Sequence, residues 1–439
     1  MIKLLAAMCV FFACNALAQD TTAIKVPFDN MNATWINGQN RQTDFPLTLN
    51  DKSTGAPIVT GVLFTDCYYN YNFNNPKDNT HAVSSSIGRT NEFCVNQVSL
   101  GLESGYKNAI GRLWLQYGQM ISLVQEQDAS VGHGRNTNID NLKYIREVAA
   151  GYHFDKWYGI NVELGMFMSY IGLESYVLNE NWCYQRSMLC EFTAFYFTGA
   201  RFQLFPSKKV KTELWLMNGW QSYNSYNSRP GIGSATMWRP NENLQLVANF
   251  YVAGKDTRSN DNALRFHHDH SIVGRYFSNP VARGISQAAW SINNHYGFES
   301  GGGKKAAENY MLGSSIAHRL WFFHNKAAVT LRADYLTHPG LYLAPSPSPV
   351  TPNRYTAAIA ANSNHALDLL QGVATIDIMP TQHFTIRLEY GYRSANAPYF
   401  AGPGGTTSPD GWVGTPTGAW QPSLTSDEHR LTAAACFRL

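Results

Sequence analysis

Apolar and polar residues alternate with period two along most of this chain, the spacing of β-strands rather than helices. In HFTIRLEYGYR, Phe384, Ile386, Leu388, Tyr390 and Tyr392 fall on one face and Thr385, Arg387, Glu389, Gly391 and Arg393 on the other. AAVTLRADY repeats the pattern, with Val329, Leu331, Ala333 and Tyr335 opposing Thr330, Arg332 and Asp334. GINVELGMFMS sets Ile160, Val162, Leu164, Met166 and Met168 against Asn161, Glu163, Gly165 and Ser169. The last strand, EHRLTAAACFRL, has Leu431, Ala433, Ala435, Phe437 and Leu439 on its apolar side and Arg430, Thr432 and Arg438 on the other. A sandwich strand also alternates. Charged residues at the middle of the polar face, strand after strand, are the more telling feature.

The connections alternate as well. Short turns are expected at 106–108, 153–157, 206–209, 239–243, 278–283, 324–326 and 379–382. Between them lie longer polar or Gly/Pro-rich stretches such as THPGLYLAPSPSPVTPNRY and ANAPYFAGPGGTTSPDGWVGTPTGAW. Short turns at one end and long loops at the other are the plan of an outer-membrane barrel. Seven turns and eight loops predict an all-β, transmembrane antiparallel β-barrel of about 16 strands. Aromatic residues recur beside the short turns, among them Tyr152, Phe154, Trp157, Tyr158, Phe205, Trp238 and Trp321-Phe322-Phe323. Such rings favour the headgroup level and form the girdles of these barrels.

Composition supports a two-faced wall. Only 15% of residues are charged, against 35 Gly, 24 Tyr, 23 Phe and 11 Trp. Yet the mean hydropathy is only -0.28, the average of one apolar and one polar face. A formal net charge of +3 argues against a nucleic-acid partner. The first residues read as a secretory signal, 1–18: Lys3 is basic, Leu4 to Ala13 are apolar, and Ala16-Leu17-Ala18 is a small-x-small cleavage site. The apolar run is too short to span a bilayer, and Phe11-Phe12-Ala13 is a poor lipobox for a lipoprotein signal ending at Cys14. Residues 19–56 are polar and irregular, broken by Pro27 and Pro46. Either a periplasmic extension or a segment tucked into the lumen fits them. The barrel is expected over 57–439.

Seven stretches stand out in order along the chain: NATWINGQNRQTDFPL (32–47), YIREVAAGYHF (144–154), GMFMSYIGLESY (165–176), NWCYQRS (181–187), FTGARFQLFP (197–206), ELWLMNGWQSYN (213–224) and PYFAGPGG (398–405). Through them the chain resembles the beta-barrel porin-2 (OmpL-like) family of bacterial outer-membrane proteins. The resemblance implies a porin in the bacterial outer membrane. It supplies a class and no ligand.

The inward charges are the first candidates for function. Alternation points Arg112, Glu163, Arg201, Glu213, Arg332, Asp334, Arg387 and Glu389 to the lumen, since a lipid-facing Arg or Lys at mid-bilayer costs about 2–4 kcal/mol. Four basic and four acidic groups predict weak ion selectivity. They would both brace the wall and sort solutes. A sixteen-strand barrel is wide enough to hold water, and a loop folded inward would narrow it. NENWCYQRSMLCEF (179–192) lies in the third long loop and would bring Glu180, Arg186 and Glu191 to such a constriction. Export permits disulfides, so Cys183 and Cys190 are expected to staple this loop, and Cys67 and Cys94 lie where they could also meet.

Other constellations carry less. In RFHHDHS, at an expected loop-to-strand junction, His267, His268, Asp269 and His270 are clustered, and His268 and His270 would share a strand face. Such a pair can grip a transition metal, but spacing locates no third ligand, so no metal and no cofactor is expected. ESGGGKK lacks the GxxxxGK[ST] spacing of a phosphate loop. No nucleophile-elbow pattern accompanies His295, so no catalytic residue is expected. The reading is a water-filled porin passing small hydrophilic solutes down their gradient, with outer-membrane lipid as its surroundings and a homo-oligomer left open. An adhesin or structural barrel with a plugged lumen, and an outer-membrane hydrolase, are the alternatives.

Overall fold

The computed structural model describes residues 25–439 except 38–41, 83, 126–127, 129–138, 226–229, 255–262 and 344–351. The expected signal lies outside the described residues. Sixteen long strands form the wall. In chain order they are β1 Pro57–Asn72, β2 Glu92–Tyr106, β3 Ala109–Tyr117, β4 Ile145–Phe154, β5 Ile160–Met168 and β6 Tyr196–Ser207. Then come β7 Val210–Met217, β8 Gly231–Asn241, β9 Leu244–Gly254, β10 Leu264–Ser278 and β11 Ile285–Ser300. The last are β12 Tyr310–Phe322, β13 Ala327–Pro339, β14 Ala366–Ile378, β15 Phe384–Ala395 and β16 Asp427–Arg438. Each pairs antiparallel with the next, and β16 returns to β1 with Cys436 opposite Asp66, so the sheet closes. Closure matters because an open edge would leave unpaired backbone groups facing lipid.

The seven turns fall where the sequence placed them, and eight longer loops join the strands at the other rim. Alternation also sets the faces. On β15, Arg387 is fully buried while its neighbour Leu388 is 45% exposed. The inversion is general: polar residues are shielded inside and apolar ones coat the outside, the order expected where the surrounding solvent is hydrocarbon. Tyr152, Trp157, Trp238 and Phe323 are exposed beside the short turns, as a girdle requires. Trp321 is an exception, being buried on the inner face against Trp182. RFHHDHS is not a loop junction but part of β10, with His268 and His270 outside and His267 and Asp269 inside.

The N-terminal segment is tucked against the barrel rather than extended. Its described parts lie along the short-turn rim. The Phe28 N–H donates to Lys208 O, in the β6–β7 turn. Trp35 is buried inside the barrel. The Thr43 N–H donates to Gln382 Oε1 at 2.8 Å, in the β14–β15 turn. Thr48–Asn50 then pairs beside β1.

Candidate functional site: the barrel interior

Two groups of charges line the inner wall. On β12–β16, Asp377 holds both Arg319 (2.6 Å) and Arg387 (2.9 Å), Glu389 holds Arg430 (3.0 Å), and Glu428 holds Arg393 (2.6 Å). Arg332 reaches Asp334 at 3.1 Å. On β3–β7, Glu163 lies between Arg112 (3.0 Å) and Arg201 (2.6 Å), and Glu213 takes Lys211 (2.9 Å). All eight sequence-chosen wall residues therefore sit on the inner side, and each is paired. Pairing is the condition for keeping a charge out of bulk water. Arg319, Asp377 and Arg430 belong to the same network; alternation would have found them had each strand been enumerated.

The third long loop, 169–195, folds into the barrel, and the β12–β16 wall grips its backbone. Arg387 donates to Leu178 O (2.9 Å), Asn181 O (2.9 Å) and Trp182 O (3.0 Å). Arg319 donates to Trp182 O at 3.1 Å and Arg332 to Gln185 O at 2.9 Å. The Glu389 carboxylate accepts from the N–H groups of Tyr184 (2.6 Å) and Gln185 (3.1 Å). Glu174, within the loop, accepts from Arg332 (2.6 Å) and from Ser187 N–H (2.5 Å). Arg387 and Glu389 thus hold a peptide chain, and Arg332 does so while also bordering the cavity described below. The guanidinium fork suits this, carrying five donors in a fixed plane.

The three expected loop charges are all inside the barrel, in different settings. Glu180 pairs with Arg438 at 2.9 Å. Glu191 accepts from Ser84 Oγ (3.2 Å), Ser85 N–H (2.6 Å) and Ser86 Oγ (2.8 Å), tying this loop to the first one. Arg186 is buried over the Phe195 ring, 4.4 Å from its centroid. Its Nη2 meets Thr193 Oγ1 at 3.4 Å, while Nε and Nη1 find no hydrogen-bond partner.

The expected staple is not formed: Cys183 and Cys190 are both free. Between them Ser187 caps a single helical turn, Met188–Glu191, by accepting from Cys190 N–H. Cys190 Sγ lies toward Asn293 Oδ1 on β11 at 3.8 Å, whereas the Cys183 thiol interacts with Thr375 on β14. Burial pushes each thiol up to about 12, chiefly by removing water from the thiolate. Cys67 and Cys94 cannot meet either. A register shift between Asp66 and Cys67 sets Cys67 opposite Val95, leaving Cys67 exposed outside and Cys94 buried inside.

Facing the gripped loop, the β8–β12 wall is mostly uncharged at mid-height. Gln245, Val273, Ser291, Asn293, Ser315 and Ala317 line a cavity of about 210 Å³. Glu174, Asn181 and Trp182 of the third loop form its other side, Arg239 reaches it from β8, and Ile36 and Asn37 contribute from the N-terminal segment. The N-terminal contribution escapes sequence reasoning, because one Trp and one Ile in a polar stretch leave no periodic signal.

Comparison with known proteins agrees with this architecture. The family model described as Putative beta-barrel porin-2, OmpL-like, matches residues 59–438. The chain belongs to that family, and it is a channel-type barrel of the bacterial outer membrane. No curated protein matches it. Among solved structures, the anion-selective porin from Comamonas acidovorans is similar at 8% identity and a TM-score of 0.54, over 87% of this chain and 99% of that one. The outer membrane channel DcaP of Acinetobacter baumannii is similar at 9% identity and TM-score 0.51, over 89% and 99%. Pseudomonas putida OprB gives 8% and 0.51, over 87% and 94%. At such identities the likeness is one of fold.

Proposed function

We propose that this member of the beta-barrel porin-2 family passes small hydrophilic solutes down their gradient, through an aqueous path narrowed by the third loop. The observation that carries the reading is the asymmetric interior. A loop pinned to the β12–β16 wall leaves a cavity against the adjoining β8–β12 wall, where hydroxyl and amide groups among apolar ones can replace a solute's water. Arg112, Glu163, Arg201 and Glu213 form the charged lining of this path on β3–β7. Arg332, Asp334, Arg387 and Glu389 act by fixing the loop. Glu180, Arg186 and Glu191 set its shape, with Arg186 a buried cation that has no carboxylate at ion-pair distance among the described residues. Diffusion of this kind uses no catalytic group and no cofactor.

Planar-bilayer recording tests the reading. Purified, heat-modifiable protein should give stepwise currents with weak ion selectivity. A folded barrel with no current under any condition would sink it. The plugged-barrel alternative is favoured by one observation, the contact between Trp182 of the third loop and the N-terminal segment, where Trp182 Nε1 donates to Ile36 O at 3.1 Å.

A further inference from the structure

We infer that the cavity beside the third loop is a binding site for small hydroxylated carboxylates, solutes of the sugar-acid kind, with Arg239 holding the carboxylate. The inference rests on the porin reading and names its solute class. It starts from which polar atoms around the cavity are already engaged. On the loop side, Glu174 accepts from Arg332 and from Ser187 N–H. Glu180 accepts from Arg438 at 2.9 Å and from Ser175 Oγ at 2.7 Å. On the wall, Asn293 donates to His270 O, and its Oδ1 meets His295 at 2.9 Å.

Three residues of the wall keep free donors. Arg239 donates Nε to Gln245 Oε1 at 2.7 Å, and its guanidinium lies 4.6 Å from the centre of the Phe28 ring. Its two terminal nitrogens remain, with no carboxylate at ion-pair distance among the described residues. The bond from Arg239 fixes which way the Gln245 amide points, so Gln245 Nε2 is left without a partner among the described residues. The Ser291 hydroxyl is likewise unpartnered there, although Gln245 and Ser291 are both buried residues. None of these donors is closed off from solvent, unlike the free nitrogens of Arg186. They open on the cavity, where a solute can satisfy them.

Strand register gives the site a direction. Gln245, Val273, Ser291, Ala317 and Arg332 stand opposite one another in turn across β9–β13. Adjacent strands lie about 4.8 Å apart, so Ser291 is roughly 10 Å from Gln245. Arg332, at the far end, is shared by two carboxylates, Glu174 at 2.6 Å and Asp334 at 3.1 Å. The row is therefore positive at its Arg239 end. A guanidinium edge matches a carboxylate with two parallel hydrogen bonds. Gln245 Nε2 adds a third donor at that end, Ser291 meets a hydroxyl farther along, and Val273 between them packs against carbon. A cavity of about 210 Å³ suits a molecule smaller than the drug-sized ligands held in pockets of about 300–1,000 Å³.

Gluconate tests the site, titrated into the full chain in detergent micelles. Tryptophan fluorescence is the readout, since Trp182 borders the cavity. Heat-modifiable gel mobility first shows that each variant is folded. Wild type should bind gluconate at least tenfold more tightly than glucose, which lacks the carboxylate. Arg239→Gln should raise the half-saturating gluconate concentration at least tenfold. Ser291→Ala should weaken gluconate at least threefold more than propionate, a carboxylate without hydroxyls, and it decides the question if Arg239→Gln does not fold. In planar bilayers gluconate should lower the wild-type current saturably over the same concentrations. Equal gluconate affinity in wild type and Arg239→Gln, or glucose bound as tightly as gluconate, would overturn the site, and a conducting wild type would leave the porin reading standing. Gluconate binding that Arg239→Gln abolishes, in a folded barrel that carries no current, would keep the site and sink the porin reading.

Discussion

The two walls of the interior differ in what they hold. The β12–β16 wall carries five arginines with their carboxylates, and three of them, Arg319, Arg332 and Arg387, donate to carbonyls of the third loop. The β8–β11 wall presents Gln245, Ser291 and Asn293 to a cavity. One wall behaves like a protein core built from charge; the other borders free space. Counting inward charges alone would have placed the filter on the first wall. Paired with each other and with peptide groups, those charges have little field left for a passing ion, whereas a hydroxyl or amide with spare hydrogen-bonding capacity can still exchange with solute.

Removing a clasp is the largest way to break this contrast. Arg387→Ala strands Asp377 beside Arg319 alone and removes three hydrogen bonds to loop carbonyls. Breaking a buried pair by deleting one partner costs about 3–5 kcal/mol, so the heat-modified transition on gels should move to markedly lower temperature. Loosened, the loop should yield larger and noisier single-channel currents. Wild-type currents from Arg387→Ala would show that the wall does not position the loop.

The outer side of the same wall sharpens the contrast between faces. Leu388 is one residue from Arg387 and faces lipid. Leu388→Arg should destabilise the folded barrel by about 2–4 kcal/mol, measured by unfolding in lipid vesicles, without enlarging the single-channel current. Two neighbouring substitutions of similar cost would then separate by conductance, because only one touches the loop.

On the cavity wall the expected effect is on current rather than stability. Ser291 borders the cavity. Ser291→Phe adds a ring to free space instead of removing a tie, so conductance should fall by about half while the gel transition stays near wild type. A loss of stability matching Arg387→Ala would mean that the cavity is a packed core, and the contrast between walls would collapse.

Strand number, turn positions and the inner faces of β13 and β15 were legible because period-two alternation is local and repeats. The eight wall charges were legible for the same reason. Their partners were not, since Arg387 donating to Leu178 O joins a side chain to a backbone group 209 positions away, and a carbonyl carries no residue signature. Trp35 was hidden by its polar neighbours. The cysteines misled because seven positions of spacing permit a bridge, while the helical turn capped by Ser187 sends the two thiols to different strands of the wall.

That last point carries the smallest expected effect. Cys183→Ser with Cys190→Ser should leave conductance unchanged near neutral pH, because no bridge is lost. In the unfolded chain both thiols titrate near 9, and in the folded protein near 12. The folded state therefore holds more protons than the unfolded one between these values, and stability falls as pH rises above about 9. Below that the thiols are neutral in both states and contribute no pH dependence. The unfolding midpoint of wild type should thus decline above pH 9, and the double variant should decline less steeply. Cys183 contacts the clasping wall and Cys190 the cavity wall, so the single variants divide that slope between the two. Equal shares would mean that both walls exclude water from the loop to the same degree, whatever their difference in charge.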